Sequence, residues 1–279
     1  GESRHHLQTP HQGVLHFDGV DDYVGDIAEV NLVGESFTIE VWARRDGENR
    51  VDTLLGQGDM SLGYNADNTF SFSFDGSTLS TAVFADADEW HHWTASFDAT
   101  SGDRTLYRDG VEVASDNTSS SHQSSGELTI ATTPAFVNYF SGQIDEVRIW
   151  NTVHSTTDLE APLAGTEESL LAYWKLNEIN EGDRIIDATQ DRPEAKNHDG
   201  TIFGATRLSD FNAIVDEDGT LILDGISIGD RDTLLDPTAV MTVTASVSHG
   251  ELSASGSNSI TITGTQAQIN SALHDLSYA

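Results

Sequence analysis

The chain has 279 residues, with 46 Asp plus Glu against 13 Lys plus Arg, a formal charge of −33. So acidic a surface repels nucleic-acid backbones and anionic lipid, because gripping phosphates requires clustered Lys and Arg. Cysteine is absent, which excludes disulfides, thiolate zinc sites and a cysteine nucleophile.

No stretch is long and apolar enough for a membrane-spanning helix, and no signal peptide is visible. The abrupt start at Gly1 and stop at Ala279 are expected of a piece of something longer. Residues 1–12 are polar and contain His5, His6 and His11; they predict a flexible arm rather than a metal site. From Val14 the chain alternates. Leu15 and Phe17 share one face, Asp18–Asp22 turns, and Tyr23 and Val24 resume the strand. Phe37, Ile39, Val41 and Ala43 take one face of the next run; Thr38, Glu40, Trp42 and Arg44 take the other. Phe70, Phe72 and Phe74 repeat at period two, as do Trp93, Ala95 and Phe97. Such alternation in short runs marks half-buried antiparallel strands.

Asp109-Gly110, between Thr105–Arg108 and Val111–Val113, is the strongest hairpin signal, because a type I′ turn wants positive φ at both central residues. A Ser-rich loop and a strand at Leu128–Ile130 follow. Phe140–Asn151 reads as a strand on which Asp145 shares its face with Val147 and Ile149, while Glu146 and Arg148 take the other. A carboxylate on an apolar face needs a partner: a backbone donor, an arginine or a cation. Ser155–Leu159 suits a capped helical turn. Ala172, Trp174 and Leu176 share a strand face, and Thr201–Phe203 is the last short strand of this region. Many short strands with Gly and Asp turns predict an all-β sandwich of two packed sheets. Beyond residue 206 tryptophan disappears and Thr, Ser, Ile and Val dominate, as in a small Greek-key sandwich. Strands are expected at Leu221 and Leu223, Ile226 and Ile228, Met241–Val247, Ile260–Ile262 and Leu276–Ala279, with a helical turn at Gln266–Leu273.

The run Leu15-x-Phe17-Asp18-Gly19-x-Asp21-Asp22-Tyr23-Val24, with Phe37–Trp42, Trp90–Trp93, Leu106–Gly110, Gly142–Asn151 and Ala172–Leu176, resembles the laminin-G/pentraxin-type domains of the concanavalin A-like group. The resemblance spans residues 13–205. It implies a jelly roll of two antiparallel sheets whose N-terminal strand returns beside the late strands. Residues 206–279 resemble an incomplete cadherin-like repeat of long bacterial surface adhesins, through Asp216–Thr220, Ile226–Asp232 and Thr263–Asn270.

Three function classes follow: a calcium-assisted, glycan-binding module of an extracellular or cell-surface bacterial adhesin, a glycoside hydrolase of concanavalin-like fold, and a spacer without ligand. Hydrolysis needs two carboxyls about 5–5.5 Å apart for retention or about 6.5–9.5 Å for inversion. No strand carries a convincing i, i+2 acidic pair, although separate strands can assemble one. There is also no Gly-x-Ser-x-Gly elbow. Binding without catalysis is therefore expected. Calcium prefers several carboxylate and carbonyl oxygens. The resemblance implies Asp18 and Asp145 as ligands, with a carbonyl from Gly34, tying the first strand to the late ones. At the junction with the repeat it implies a second calcium held by Asp216, Asp218, Asp230 and Asp232. Trp42, Trp90, Tyr64 and Tyr139 are aromatic candidates for sugar stacking, each also suited to packing. His92 points away from Trp93, toward a ligand or into packing. The expected partners are a glycan or cell-surface ligand and neighbouring modules of a longer chain, with no nucleic acid and no membrane insertion.

Overall fold

The computed structural model describes residues 13–119, 122–123, 125–154, 163–177, 182–189, 197–208, 221–222, 241–246, 259–265, 268 and 277–278. The chain divides into two compact units, residues 1–210 and 211–279. The N-terminal arm, the helical turn expected at Ser155–Leu159 and all but Gln268 of the turn expected at Gln266–Leu273 lie outside the described residues.

The first unit contains β1 (Val14–Asp18), β2 (Tyr23–Ile27), β3 (Phe37–Arg45), β4 (Asp52–Gln57), β5 (Met60–Tyr64), β6 (Phe70–Phe74), β7 (Ser77–Ser80) and β8 (His91–Phe97). It continues with β9 (Asp103–Arg108), β10 (Val111–Asn117), β11 (Leu128–Ile130), β12 (Ser141–Trp150), β13 (Leu170–Trp174), β14 (Arg184–Ile185), β15 (Gly200–Phe203) and β16 (Thr206–Leu208). One antiparallel sheet runs β10-β9-β8-β3-β12-β1-β16, with β13 also beside β12; the other runs β14-β15-β2-β11-β4-β5-β6-β7. This is the expected jelly-roll sandwich, and the first strand does return beside a late one, since β1 pairs with β12. Thr206–Leu208, placed by sequence in the following repeat, instead pair with β1.

The alternating residues build the core. Leu15, Phe17, Phe37, Ile39, Val41, Trp93 and Phe97 from the first sheet meet Leu62, Phe70, Phe72 and Phe74 from the second, all fully or nearly fully buried. Trp93 stacks on Phe70 with ring centroids 3.7 Å apart. Each such large apolar side chain contributes about 1.5–3 kcal/mol on burial, so a cysteine-free sandwich of this size has its stabilisation without a covalent staple. The β9–β10 hairpin turns at Asp109 (φ 52) and Gly110 (φ 76), with Val111 opposite Arg108, as the Asp-Gly signal predicts.

One strand departs from simple alternation. Asp145 pairs with Trp42, yet Arg148 pairs with Glu40, so β12 carries one extra residue. The bulge centres on Glu146, whose φ is 52. A bulge of one residue reverses which face each later side chain meets. Ile144 therefore shares the core with Val147 and Ile149. Asp145, opposite Trp42, turns to the outer face, which corrects the face expected from strict alternation.

In the second unit, β17 (Leu221–Ile222) pairs antiparallel with β20 (Ser277–Tyr278), and β18 (Met241–Ser246) with β19 (Ser259–Gly264). These strands fall where the apolar alternation predicts them. Asp216, Asp218, Asp230 and Asp232 lie outside the described residues.

Candidate functional site

Five connections cross from one sheet to the other at a single rim of the sandwich: 19–22 after β1, 46–51 after β3, 81–90 after β7, 131–140 after β11 and 204–205 after β15. The register brings them together, because Asp18 lies opposite Ser141, Gly142 opposite Arg45, and His16 opposite Thr206. Loops gathered at one end of a rigid sandwich are the usual carriers of binding function. Side chains knit these loops. Arg50 donates from Nη2 to the Gly19 carbonyl at 3.0 Å and to the Tyr139 carbonyl at 3.5 Å, and its Nε meets the buried Asp52 carboxylate at 3.3 Å. His16 and Asp46 lie 3.0 Å apart across the first two loops.

Asp18, Asp21 and Asp22 stand at the middle of this rim, each with a carboxylate oxygen within 4.8 Å of the others. Local bonding fixes the turn. Asp18 Oδ1 accepts the amides of Val20 and Asp21 at 2.7 and 3.4 Å, and Asp22 Oδ2 accepts the Asp18 amide at 2.8 Å. Gly19 has φ +75, and a Cβ there would fall 2.7 Å from the Ser141 side chain and 2.3 Å from the Arg50 guanidinium. Gly204 approaches Asp22 from the far side; a Cβ on it would fall 1.9 Å from Asp22 Oδ1. Burial raises the Asp22 carboxyl above its ordinary range, its bond from the Asp18 amide opposes this, and the Asp18 and Asp21 charges raise it further. The donor set is all oxygen, acidic and half open to solvent, which suits a hard cation of calcium type.

The predicted ligand set is not brought together. Asp18 faces Ser141, whereas Asp145 lies four residues further along β12, roughly 14 Å at about 3.4 Å per residue. One ion cannot be held by both. Asp145 is 1% exposed and accepts the Glu146 amide at 3.0 Å. Gly34 precedes the Phe37 end of β3, the opposite end from Arg45 and the rim; nine strand residues, on the order of 27 Å, separate the two ends. Gly34 instead donates its amide to the His122 carbonyl. Asp18 instead stands with Asp21 and Asp22, two further carboxylates of the same turn that the sequence did not single out.

The outer face of the β3–β12 sheet holds a second polar cluster. Arg148, 5% exposed, meets Glu40 Oε2 at 3.4 Å from Nη1 and Glu146 Oε2 at 2.7 Å from Nη2. The Tyr173 hydroxyl donates to the same Glu146 oxygen, and the guanidinium lies over the Tyr173 ring at 5.2 Å. Burial raises the Glu40 carboxyl, and Arg148 offsets part of that rise. His92 is fully buried beneath Trp42, with ring centroids 5.1 Å apart and Nε2 3.9 Å from Glu40 Oε2, beyond hydrogen-bond reach; burial, then the Arg148 charge, lowers it to about 3. Glu40 and Glu146 are thus two carboxylates from separate strands, as sequence allowed, but one guanidinium clamps both.

Among the aromatic candidates, Tyr64 is 2% exposed, accepts the Trp93 indole N–H at 2.9 Å and carries Arg45 over its ring at 4.4 Å. It is a packing residue. Trp42 and Trp90 are half-buried, Trp42 over His92. Tyr139 belongs to the 131–140 loop of the rim.

The family model of the concanavalin A-like lectin/glucanases superfamily (Laminin_G_3) matches residues 18–160, just over half of the chain. A search of curated proteins found no match. Among solved structures, a "putative carbohydrate binding protein" from Bacteroides ovatus is 20% identical at a TM-score of 0.58; the alignment covers 71% of this chain and 60% of that one. This chain therefore spans less than two thirds of that protein's length. The SAP-like pentraxin of Limulus polyphemus is 11% identical at TM-score 0.42, covering 53% and 79%. The CBM40 of the Ruminococcus gnavus IT-sialidase, bound to α2,3 sialyllactose, is 16% identical at TM-score 0.39, covering 43% and 78%. The sandwich, its motif series and the family match agree: the chain belongs to the concanavalin A-like lectin/glucanases superfamily.

Proposed function

We propose that the chain is a non-catalytic, calcium-assisted carbohydrate-binding module of an extracellular, cell-surface adhesin. The observation that carries the binding reading is the clamp on the outer sheet face, where Arg148 holds both Glu40 and Glu146. A glycosidase needs one carboxyl able to give a proton and a second free to act as base or nucleophile; here both are committed to one buried cation. The description of the Bacteroides ovatus protein, which shares the fold, supports carbohydrate as the ligand class. Calcium is assigned to Asp18, Asp21 and Asp22, whose crowded carboxylates a divalent ion would relieve. The cadherin-like character of residues 206–279, and a junction calcium on Asp216, Asp218, Asp230 and Asp232, belong to the same proposal and rest on sequence resemblance alone.

The test is a glycan array probed in calcium and in chelator, run beside a hydrolysis screen on the same glycans. Retention that weakens in chelator, without products, is the expected outcome. Turnover of any glycan overturns the non-catalytic reading, and equal retention in chelator overturns the calcium assignment.

A further inference from the structure

Beside the acidic turn, the same rim carries an aromatic surface that neither the family match nor the fold explains. Tyr23 of β2 and Phe203 of β15 are cross-strand partners, and their rings stack with centroids 4.6 Å apart at 12°. Gly25 makes room for them: a Cβ there would fall 2.9 Å from the Tyr23 ring and 3.4 Å from the Phe203 ring. Phe136 meets Tyr23 edge-on at 5.1 Å, and Tyr139 lies 6.3 Å from it. Phe136 remains 49% exposed and its neighbour Val137 51% exposed, and Val20 in the 19–22 loop of the same rim is 68% exposed. Contiguous apolar surface of this kind on a soluble domain marks a binding site.

The loop that presents Phe136 is built to hold it outward. Ala131, Phe136 and Asn138 all have positive φ, at 67, 56 and 60. Side-chain-bearing residues rarely adopt that conformation, and they keep it only where surrounding contacts over-determine it. Here they do. The Phe136 amide donates to the Thr133 carbonyl, the Thr53 amide to Asn138 and the Phe140 amide to Ala131. The Thr132 and Thr133 hydroxyls both donate to the Val137 carbonyl, at 3.1 and 3.2 Å. A loop fixed in advance loses little freedom when a ligand arrives.

The aromatic surface and the acidic turn are continuous. Asp22 precedes Tyr23, Gly204 follows Phe203 and packs on Asp22 Oδ1, and Arg50 joins Gly19 to Tyr139. An apolar platform bordered by carboxylates fits a pyranose, whose C–H face lies on rings while its hydroxyls donate to acceptors at the edge. The charge balance restricts which sugar. Arg50, which joins Gly19 to Tyr139, already faces Asp52, and at the end of β3 Arg45 is buried against Asp86 while Arg44 meets Asp88. Asp18, Asp21 and Asp22 stay net negative even around a divalent ion. A carboxylated sugar would enter against that field.

Resting on the carbohydrate reading above, we propose that Tyr23, Phe136, Tyr139 and Phe203 form the sugar-stacking platform and that it takes neutral glycans, with Asp18 and Asp21 receiving hydroxyl groups directly or through calcium. The full chain is tested on a panel of neutral oligosaccharides (gluco-, manno-, galacto- and xylo-series) together with sialyllactose and oligouronates. Phe136→Ala should weaken binding of the retained glycan about tenfold, the scale of a lost aromatic contact. Phe136→Trp should keep it. Val111→Ala, at an exposed apolar residue on the β9–β10 hairpin, should change nothing, which separates platform loss from general surface effects. Because Phe136 is an exposed loop tip, the fold should survive, checked by an unchanged melting temperature. Neutral binding left within twofold by Phe136→Ala overturns the platform while sparing the carbohydrate reading. Preference for sialyllactose or oligouronates overturns the neutral-sugar claim. Failure of the native chain to retain any sugar overturns the carbohydrate reading, and the platform with it.

Discussion

Replacing Arg148 with methionine removes one buried guanidinium and leaves two carboxylates facing each other. Arg148 is 5% exposed and Glu40 2% exposed, and the residue that offsets their burial is the one deleted. Breaking a buried ion pair from one side costs about 3–5 kcal/mol. Against a domain stability of about 5–15 kcal/mol that is a large share, and for a unit of this size it lowers Tm by roughly 6–20 °C. The assay is urea unfolding followed by tryptophan fluorescence. Trp42, Trp90, Trp93, Trp150 and Trp174 are the chain's tryptophans and all lie in the first unit, so the signal reports that unit alone. The pH dependence has a definite sign. Burial raises Glu40 in the folded protein above its usual 4.5, and loss of Arg148 raises it further. Folded protein then holds a proton that unfolded protein releases, so the variant's deficit relative to the native protein should shrink as pH falls from 7 toward 4.5. Glu40→Gln in the Arg148→Met background should restore part of the loss. A deficit under about 1 kcal/mol, or one that does not change with pH, would refute the clamp.

Three further outcomes follow from the site and its surroundings. Calcium should raise the melting temperature of the native chain, by an amount equivalent to about 2.7 kcal/mol at a hundredfold excess over Kd; thermal melts with calcium and chelator should lose this shift in Asp21→Asn and keep it in Asp145→Asn, and the reverse pattern would move the ion to β12. His92 is held neutral with a folded value of about 3 against an ordinary 6.5, so its stabilisation is complete above pH 6.5 and is lost as pH falls toward 3; His92→Asn should flatten that acid slope in fluorescence-monitored unfolding, and an unchanged slope would assign it elsewhere. Gly25→Val should disturb the Tyr23–Phe203 stack, since a Cβ there already falls 2.9 Å from the Tyr23 ring; sugar affinity should drop more steeply than Tm, and an unaffected affinity would detach the stack from binding.

Much of the sandwich is legible in the sequence because its strands obey period two. Phe70, Phe72 and Phe74, or Ile39, Val41 and Ala43, can only face one way in an unbroken strand, and they line the core as expected. The Asp109-Gly110 turn is equally local, since its φ values are a property of the two residues. Asp145 marks where that reading stops. Nothing in Gln143–Arg148 announces that Glu146 adopts φ 52 and adds a residue to the strand; the bulge follows from pairing with β3, a long-range fact. The same applies to register. Sequence resemblance puts β1 beside β12, but only the pairing of Asp18 with Ser141 separates Asp18 from Asp145. The clamp of Glu40 and Glu146 on Arg148 joins residues that are 108 positions apart at its widest. The aromatic platform joins two strands and one loop in the same way. Tyr139 was visible as a candidate, whereas Phe136 becomes one only when the 131–140 loop folds back on β4.

The claim that this rim binds sugar and leaves it intact is tested most directly by titration calorimetry with the best-retained neutral glycan in calcium, followed by mass spectrometry of the recovered sugar. The account predicts saturable binding that weakens in chelator and in Phe136→Ala, with the glycan recovered at its original mass. Recovery of shortened oligosaccharides, or heat that neither chelator nor Phe136→Ala alters, would contradict it.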